Sequence, residues 1–274
     1  MLTAFCPLLR TSTARPPARR PITLCSLLLR SILVLLASLI WLASLVAAHG
    51  ETTAFEKGVA AYQAQDFVGA ARQFNDALRQ VPSAEAWLNL GNTEWQAGHS
   101  GPAILAWERA LWIHPLDADA AASWRHARQS AQLDEWPLRW WEAFSVWLPP
   151  NTWGWLAAAS FWLTVALVFV WPVILRWRKS AWMQSLAAVA FGVCLLATAG
   201  AFGVHTRAAL GVVLEPATPL RQTPTIHAQV LTKLPAGVEA RCRLSRGNYY
   251  YVRTSSGDSG WLEKAQLRLI VSAD

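Results

Sequence analysis

Charged residues are scarce in this sequence, and they are missing altogether from three long stretches. Only 15% of the 274 residues are charged, whereas 54% are hydrophobic and 17 are tryptophan. An ordinary soluble domain has about 25% charged residues, and a disordered chain lacks this apolar content. The uncharged stretches are residues 31–48, 153–175 and 182–204. This composition predicts a membrane protein rather than a soluble or disordered one.

Cysteines and catalytic motifs are equally sparse. The four cysteines are Cys6, Cys25, Cys194 and Cys242. Only Cys242 lies outside both the first 48 residues and the uncharged stretches, so no disulfide is predicted there. The sequence has no zinc-binding His pair, phosphate-binding glycine loop or paired-cysteine motif. We therefore predict no metal, no cofactor and no enzyme activity.

Acidic residues are absent before position 49, and this absence explains most of the net charge of +7. The five cations in that segment are Arg10, Arg15, Arg19, Arg20 and Arg30. The basic charge therefore belongs to the N-terminal segment, and no nucleic-acid partner is predicted. Residues 1–48 end in the small residues Val46, Ala47 and Ala48, which suit a signal peptidase. The segment is predicted to be a signal peptide or an uncleaved N-terminal anchor, and in either case the chain after it is exported.

Residues 153–175 and 182–204 are each long enough for the roughly 20 residues of a membrane-spanning helix. The loop between them, residues 176–181, carries Arg176, Arg178 and Lys179, and such cations are retained on the cytoplasmic side. The segments before and after the two spans are therefore predicted to lie together on the opposite side. No ionisable residue interrupts either span, so the usual marker of an ion path is missing.

Small residues and tryptophans add detail to this membrane region. Four small residues on one face of the second span predict close approach of the two spans: Ala188, Gly192, Ala199 and Gly203. Five tryptophans near the span ends are predicted anchors at the membrane surface: Trp153, Trp155, Trp171, Trp177 and Trp182. Residues 134–152 carry a tryptophan-rich stripe opposed by Arg139 and Glu142. This stripe indicates a helix that lies in the membrane interface or one that is docked on the preceding domain.

Residues 51–115 match themselves at an offset of 33 residues. Gly58 corresponds to Gly91, and alanine, aromatic and proline positions recur in the same register. The glycines permit close approach of two helices, and Pro82 and Pro115 end the second helix of each pair. The pattern resembles the tetratricopeptide repeat. This resemblance implies an all-α domain over residues 49–133, with repeats at 51–83 and 84–116 and a capping helix at 117–132.

The tetratricopeptide resemblance also implies a concave groove that binds a peptide. By register, the groove residues are Phe55, Val59, Tyr62, Leu88, Asn89, Asn92, Trp95, Arg125 and Arg128. Some members of the family bind a C-terminal carboxylate through slots that Asn89 and Arg125 occupy here. Phe55 and Val59, however, stand where that clamp has polar residues. The alternative for Tyr62 and Trp95 is packing between helices.

Residues 211–274 alternate between apolar and polar positions, as short antiparallel strands do. The predicted strands are 212–214, 229–231, 238–242, 249–253 and 260–262. The run from Gly257 to Gly260 is typical of a tight turn, and nothing around it supplies the base and acid that a serine nucleophile needs. The region resembles the bacterial SH3-like domain, a small all-β barrel. This resemblance implies a ligand face at Tyr249, Tyr251 and Trp261, and the alternative is that about half of these residues belong to the core of the barrel.

The order of these parts is similar to that of BatE-like proteins of the bacterial aerotolerance operon. This resemblance implies a multidomain, non-enzymatic scaffold in the bacterial inner membrane, with the repeats and the SH3-like domain in the periplasm. The implied partners are the lipid bilayer and the operon's von Willebrand factor A-type membrane proteins, and the implied context is oxidative or envelope stress. The alternative is a peptidoglycan-associated adaptor whose SH3-like domain binds the cell wall while the repeats recruit a wall enzyme.

Overall fold

The computed structural model describes residues 53–170 and 181–271. The predicted leader (1–48), the cations of the predicted cytoplasmic loop, and Trp171 and Trp177 lie outside these residues. The described chain consists of a helical region, two long apolar helices and a C-terminal antiparallel sheet, as the sequence predicts.

Five helices form the first region. They are α1 (Thr53–Gln63), α2 (Phe67–Gln80), α3 (Ala84–Gln96), α4 (Ser100–Ile113) and α5 (Ala118–Ser130). Side-chain caps fix three of the starts, because Asp66, Ser83 and Asp117 accept hydrogen bonds from the free backbone N–H groups of α2, α3 and α5. Helices α2 and α4 end two residues before the two prolines of the repeat.

The two helical hairpins make the same contact one repeat apart. A Cβ added to Gly58 would lie 2.8 Å from the Phe74 ring, and one added to Gly91 would lie 2.6 Å from the Trp107 ring. The paired alanines of the second helices, among them Ala70 and Ala103, are buried. Each glycine therefore lets an aromatic ring of the second helix lie against the backbone of the first, as the repeat predicts.

Two stretches of helix, Pro150–Phe169 and Trp182–Arg207, are long and apolar enough to cross a membrane. A short helix, α6 (Trp140–Ser145), precedes them. The first stretch comprises α7 (Pro150–Val165) and a π-helical turn (Ala166–Val170), and the second lies in α8 (Ala181–Arg207). They match the predicted spans where the structure describes them.

The small-residue face predicted on α8 is wrong at Ala188 and Gly192, whereas Gly203 is buried. Ala188 is exposed, and a Cβ on Gly192 would meet nothing within 4 Å. The buried positions of α8 are Met183, Ala187, Ala190, Ala197, Gly200 and Gly203. Cys194 lies on this face and donates a weak hydrogen bond to the Ala157 carbonyl of α7, at 3.7 Å. Alanine and glycine are so frequent in α8 that small residues alone do not distinguish one face from another.

Seven strands form one antiparallel sheet. They are β1 (Leu210–Val213), β2 (Thr218–Arg221), β3 (Val230–Leu234), β4 (Glu239–Arg246), β5 (Tyr249–Thr254), β6 (Ser259–Glu263) and β7 (Leu267–Leu269). Their order in the sheet is β3-β2-β6-β5-β4-β1-β7. The five predicted strands are present, whereas β2 and β7 were not predicted. These two are only four and three residues long, and β2 contains Pro219, which argues against a strand.

The sheet and the helices share a hydrophobic core. Ile104, Trp107 and Ala127 of α4 and α5 pack with Val212 of β1. A Cβ added to Gly101 of α4 would lie 2.2 Å from the Leu214 carbonyl, so the two backbones are in direct contact. Strand β1 therefore lies directly against α4 of the helical stack.

The helical region and the sheet both adjoin the same end of the apolar helix pair. At the end of α8, the Arg207 guanidinium lies over the Trp112 ring of α4, 5.1 Å from its centroid. At the start of α7, Trp153 Nε1 donates to the Ser145 carbonyl at 3.2 Å. The sheet follows α8 directly and packs on α4. We call the helical region and the sheet together the head.

Candidate interaction surfaces

The predicted groove residues of α1 are largely engaged in packing. Phe55, Val59 and Tyr62 are partly buried against the core between α1 and α2. The Phe55 ring lies 5.6 Å from that of Phe74, and the Tyr62 ring lies 5.6 Å from that of Phe67. These side chains fill the first hairpin and present only part of their surface to the outside.

The groove residues of α3 are also held by their neighbours. Leu88 and Trp95 pack against the core shared with β1, and the Trp95 ring lies 5.9 Å from that of Trp107. Asn92 Oδ1 accepts a hydrogen bond from Trp107 Nε1 at 3.0 Å. Asn89 Nδ2 donates to the carbonyl one turn earlier at 2.9 Å. The packing interpretation of Trp95 therefore rests on direct contacts, and peptide binding by this surface stays a prediction.

The two predicted groove arginines of α5 have different environments. Arg125 is exposed, and its Nε donates to the carbonyl of Ala121 in its own helix at 3.0 Å. Arg128 is only 2% exposed, and its Nη1 lies 2.5 Å from Glu239 Oε1 of β4. Arg128 therefore cannot line an open groove. The prediction that Arg128 lines the groove is wrong, because β4 covers that side of α5.

The sheet brings the three predicted aromatic residues onto one face. Tyr251 and Trp261 are opposite each other in the β5–β6 register, with ring centroids 5.3 Å apart. Tyr249 lies two residues before Tyr251 and so points to the same face. All three are partly exposed, whereas Val252 and Leu262 on the other face are fully buried. The structure thus provides an aromatic face outside the core of the sheet.

A tight turn is present just before β6, but Ser259 and Gly260 of the predicted run already belong to that strand. Gly257 has a φ of +98°, a left-handed conformation that favours glycine, and the Thr254 N–H donates to the Asp258 carbonyl at 2.9 Å. The Asp258 carboxylate accepts a hydrogen bond from Ser256 Oγ at 3.0 Å. Within residues 53–170 and 181–271, no group of three His, Cys, Asp or Glu side chains is placed to hold a metal ion.

The sequence did not predict a set of buried charges between the helices and the sheet, which we call the charged seam. Its members are Glu108, Arg128, Glu142, Glu239 and Arg241. The Arg128 guanidinium is the central cation, because it pairs with Glu239 and lies 3.9 Å from Glu108. It also donates to the carbonyl of Asp134. The second oxygen of Glu239 accepts the backbone N–H of Trp136 at 3.1 Å, so both oxygens of this carboxylate have donors.

A second ion pair joins β4 to α6. Arg241 Nη2 lies 2.7 Å from Glu142 Oε1, and Glu142 Oε2 accepts the backbone N–H of Arg139 at 3.0 Å. Glu142 is fully buried, so its prediction as part of a polar face opposite the tryptophan stripe is wrong. Helix α6 instead docks on α8, where a Cβ on Gly203 would lie 2.2 Å from the Trp141 carbonyl.

The described span-end tryptophans also divide into two kinds. Trp155 and Trp182 are 77% and 60% exposed, as membrane-surface anchors would be. Trp153 is only 4% exposed and lies 4.8 Å from the Phe144 ring, so its prediction as an anchor is wrong. It is a packing residue that joins the start of α7 to α6.

Glu108 is the least favourably placed acid of the charged seam. Burial raises the pKa of the Glu108 carboxyl well above its ordinary value, and the nearby Glu239 carboxylate raises it further. Arg128 and the hydrogen bond from Trp124 act in the opposite direction but have smaller effects.

Only part of this seam has a signal in the sequence. Glu239 and Arg241 alternate with Ala240, which predicts that both charges lie outside the core of the sheet. Nothing in that alternation shows that α5 and α6 cover them.

No model of a known protein family matches the chain, and no curated protein is similar enough to count as a relative.

Proposed function

We propose that the chain is a non-enzymatic scaffold of the bacterial inner membrane, with its head in the periplasm. The observation that carries this proposal is the shared core of α4, α5 and β1, together with the position of both regions at one end of the apolar helix pair. Such a head fits one compartment and presents its helical and β surfaces in a fixed relation. The predicted cytoplasmic loop would lie at the other end of the pair.

The proposed partners are von Willebrand factor A-type membrane proteins of an aerotolerance operon, in a complex that responds to oxidative or envelope stress. Arg125 supports a contact on the helical side, because it is the exposed cation among the predicted groove residues and has no ion pair within residues 53–170 and 181–271. A partner segment with an acidic group would complement it.

Co-purification of a tagged von Willebrand factor A-type protein with the detergent-solubilised full chain tests this proposal. We expect Arg125→Glu to reduce the recovered partner severalfold, because the substitution reverses the charge at the surface. Arg72→Glu, an exposed position of α2 outside the predicted groove, is the matched control. Equal recovery with both variants would contradict a contact at Arg125.

A second candidate function is a peptidoglycan-associated adaptor, and the aromatic face of the sheet favours it. The Tyr251–Trp261 pair offers flat apolar surface beside polar groups, which suits stacking on sugar rings or peptide stems. The pair also adjoins Arg221, which is opposite Trp261 in the β2–β6 register. In this function the repeats would recruit a wall enzyme.

Sedimentation of the full chain with purified sacculi distinguishes the two functions. The sheet should not be tested as a fragment of residues 211–274, because Val212 and Ile270 would lose the helices that cover them. The adaptor function predicts co-pelleting that the double variant Tyr251→Ala/Trp261→Ala abolishes and that Ile226→Ala, an exposed loop position, leaves unchanged. Absence of co-pelleting would contradict the adaptor function and leave only the scaffold proposal.

A further inference from the structure

The short helix α6 has one covered side and one uncovered side. Glu142 and Ser145 are buried on the covered side, where Glu142 pairs with β4 and Ser145 lies against α8. Trp140, Ala143 and Trp147 are exposed, and their spacing of three and four residues places them on one side of a helix. The two tryptophans are 68% and 70% exposed. We call these three residues the outward face of α6.

The outward face continues the exposed surface of the two apolar helices. The Trp140 ring lies 5.4 Å from that of Trp141, which lies 6.3 Å from the ring of the exposed Phe202 in α8. Phe202 is five residues from the end of α8, and the exposed Trp155 is five residues from the start of α7. At 1.5 Å per residue, both rings lie about 7–8 Å inside the apolar helices. Exposed aromatic rings of α6, α7 and α8 therefore lie near one level, at the end of the pair that adjoins the head.

Water is an unfavourable surrounding for this group of rings. An exposed apolar patch marks a surface that binds a protein or a membrane. An indole ring has an apolar body and one polar N–H group, and it favours the headgroup level of a bilayer. Lipid is the occupant that the structure favours, because it would surround the exposed sides of α7 and α8 at the same level. A protein partner would have to cover rings on three separate elements.

We propose that the outward face of α6 lies in the phospholipid headgroup layer on the side of the membrane that holds the head. Helix α6 then contacts lipid through its tryptophans and β4 through Glu142, so one short helix sets the distance between the sheet and the bilayer. The outward face carries no charge, so a zwitterionic lipid is sufficient. The proposal deepens the scaffold function and rests on its insertion into a membrane.

Fluorescence quenching by labelled lipids tests the proposal. The probe is a nitrobenzoxadiazole group on Ala143→Cys, in an otherwise cysteine-free full chain in phosphatidylcholine nanodiscs. This substitution keeps both tryptophans of the outward face. The quenchers are phosphatidylcholines with a nitroxide either on the headgroup or in the middle of the acyl chain. We expect the headgroup nitroxide to quench the probe severalfold more strongly than the acyl-chain nitroxide does.

Two exposed positions calibrate the depth. Leu195→Cys, in the middle of α8, should be quenched mainly by the acyl-chain nitroxide. Val68→Cys, at the start of α2, should be quenched by neither lipid. Val68 has in the first repeat the position that Gly101 has in the second, at the end of α4 away from Trp112 and α8.

The Leu195 label separates failure of this proposal from failure of the proposed function. If that label is quenched while the Ala143 label behaves like the Val68 label, the outward face lies in water or under a protein, and the proposal is overturned. Stronger quenching of the Ala143 label by the acyl-chain nitroxide would also overturn it. If neither lipid quenches the Leu195 label, α8 is not in the bilayer, and the proposed membrane scaffold fails as well.

Discussion

Two interfaces in the described part of the chain are built from opposite kinds of residue. The interface between the helical stack and the sheet contains the charged seam, in which Arg128 and Glu239 are almost fully buried 2.5 Å apart. The interface of α8 with α6 and α7 is apolar and has close backbone approach at Gly200 and Gly203, with a weak thiol contact to α7 at 3.7 Å. The first interface depends on matched charges that become costly when unpaired, whereas the second depends on how closely two backbones approach.

The largest expected effect is at the charged seam. Glu239→Ala removes the carboxylate from Arg128 and leaves a buried cation without its main partner. Breaking a buried pair in this way costs about 3–5 kcal/mol, a large part of the roughly 5–15 kcal/mol that stabilise a typical protein. Urea unfolding of the solubilised protein, followed by tryptophan fluorescence, measures the change.

An exposed ion pair gives the matched control for Glu239→Ala. Arg79 and Asp76 lie 3.5 Å apart on the surface of α2, with both side chains mostly exposed. Asp76→Ala should therefore change the free energy of unfolding by less than about 1 kcal/mol. Similar effects of the two substitutions would show that burial does not distinguish the seam from the surface.

A pair of glycines in α8 tests the second kind of interface. Gly203→Ala would place a Cβ 2.2 Å from the Trp141 carbonyl, so α6 or α8 would have to shift. Such overpacking costs about 1–3 kcal/mol. Gly192→Ala meets nothing within 4 Å and should be neutral or slightly stabilising. Thermal unfolding midpoints in one detergent compare the two, and equal midpoints would contradict the docking of α6 on α8.

The smallest expected effect concerns pH. Because the pKa of Glu108 is raised in the folded state, the folded protein binds more protons than the unfolded chain above the ordinary glutamate pKa of about 4.3. Stability contributed by the protonated carboxyl is therefore present at low pH and is lost as the pH rises through the raised value. Glu108→Gln should lose less stability than the wild type does as the pH rises above the ordinary glutamate pKa of about 4.3.

Urea unfolding at several pH values measures this difference between Glu108→Gln and the wild type. Glu215→Gln, an exposed change before β2, is the control and should follow the wild-type curve. If the Glu108→Gln curve also runs parallel to that of the wild type, the pKa of Glu108 is not raised in the folded protein.

The sequence predicted the parts whose cause is local. Gly58 and Gly91 each permit one aromatic contact within a single hairpin, so a repeat in the sequence became a repeat in the packing. Alternation along β4 and β5 similarly predicted strands and the outward position of Tyr251. Strands β2 and β7 were not predicted, because they are too short to show an alternation of apolar and polar residues.

The parts that were not predicted depend on distant partners. Glu239 is 111 residues from Arg128, and Arg241 is 99 residues from Glu142. No local pattern connects such residues, and a charged side chain is more often exposed than buried. The wrong expectations for Arg128, Glu142 and Trp153 share this origin, since each residue is covered by an element that its own segment does not contain.

The proposed scaffold requires the helical region and the sheet to lie on one side of the membrane. Cysteine labelling in otherwise cysteine-free chains tests this directly, with Lys57→Cys on α1, Asp258→Cys in the turn before β6 and Lys179→Cys in the predicted cytoplasmic loop. A membrane-impermeant maleimide, added to cells with a permeable outer membrane, should label the first two, and label the third only after lysis. Opposite behaviour of Lys57→Cys and Asp258→Cys, or labelling of both only after lysis, would contradict the account.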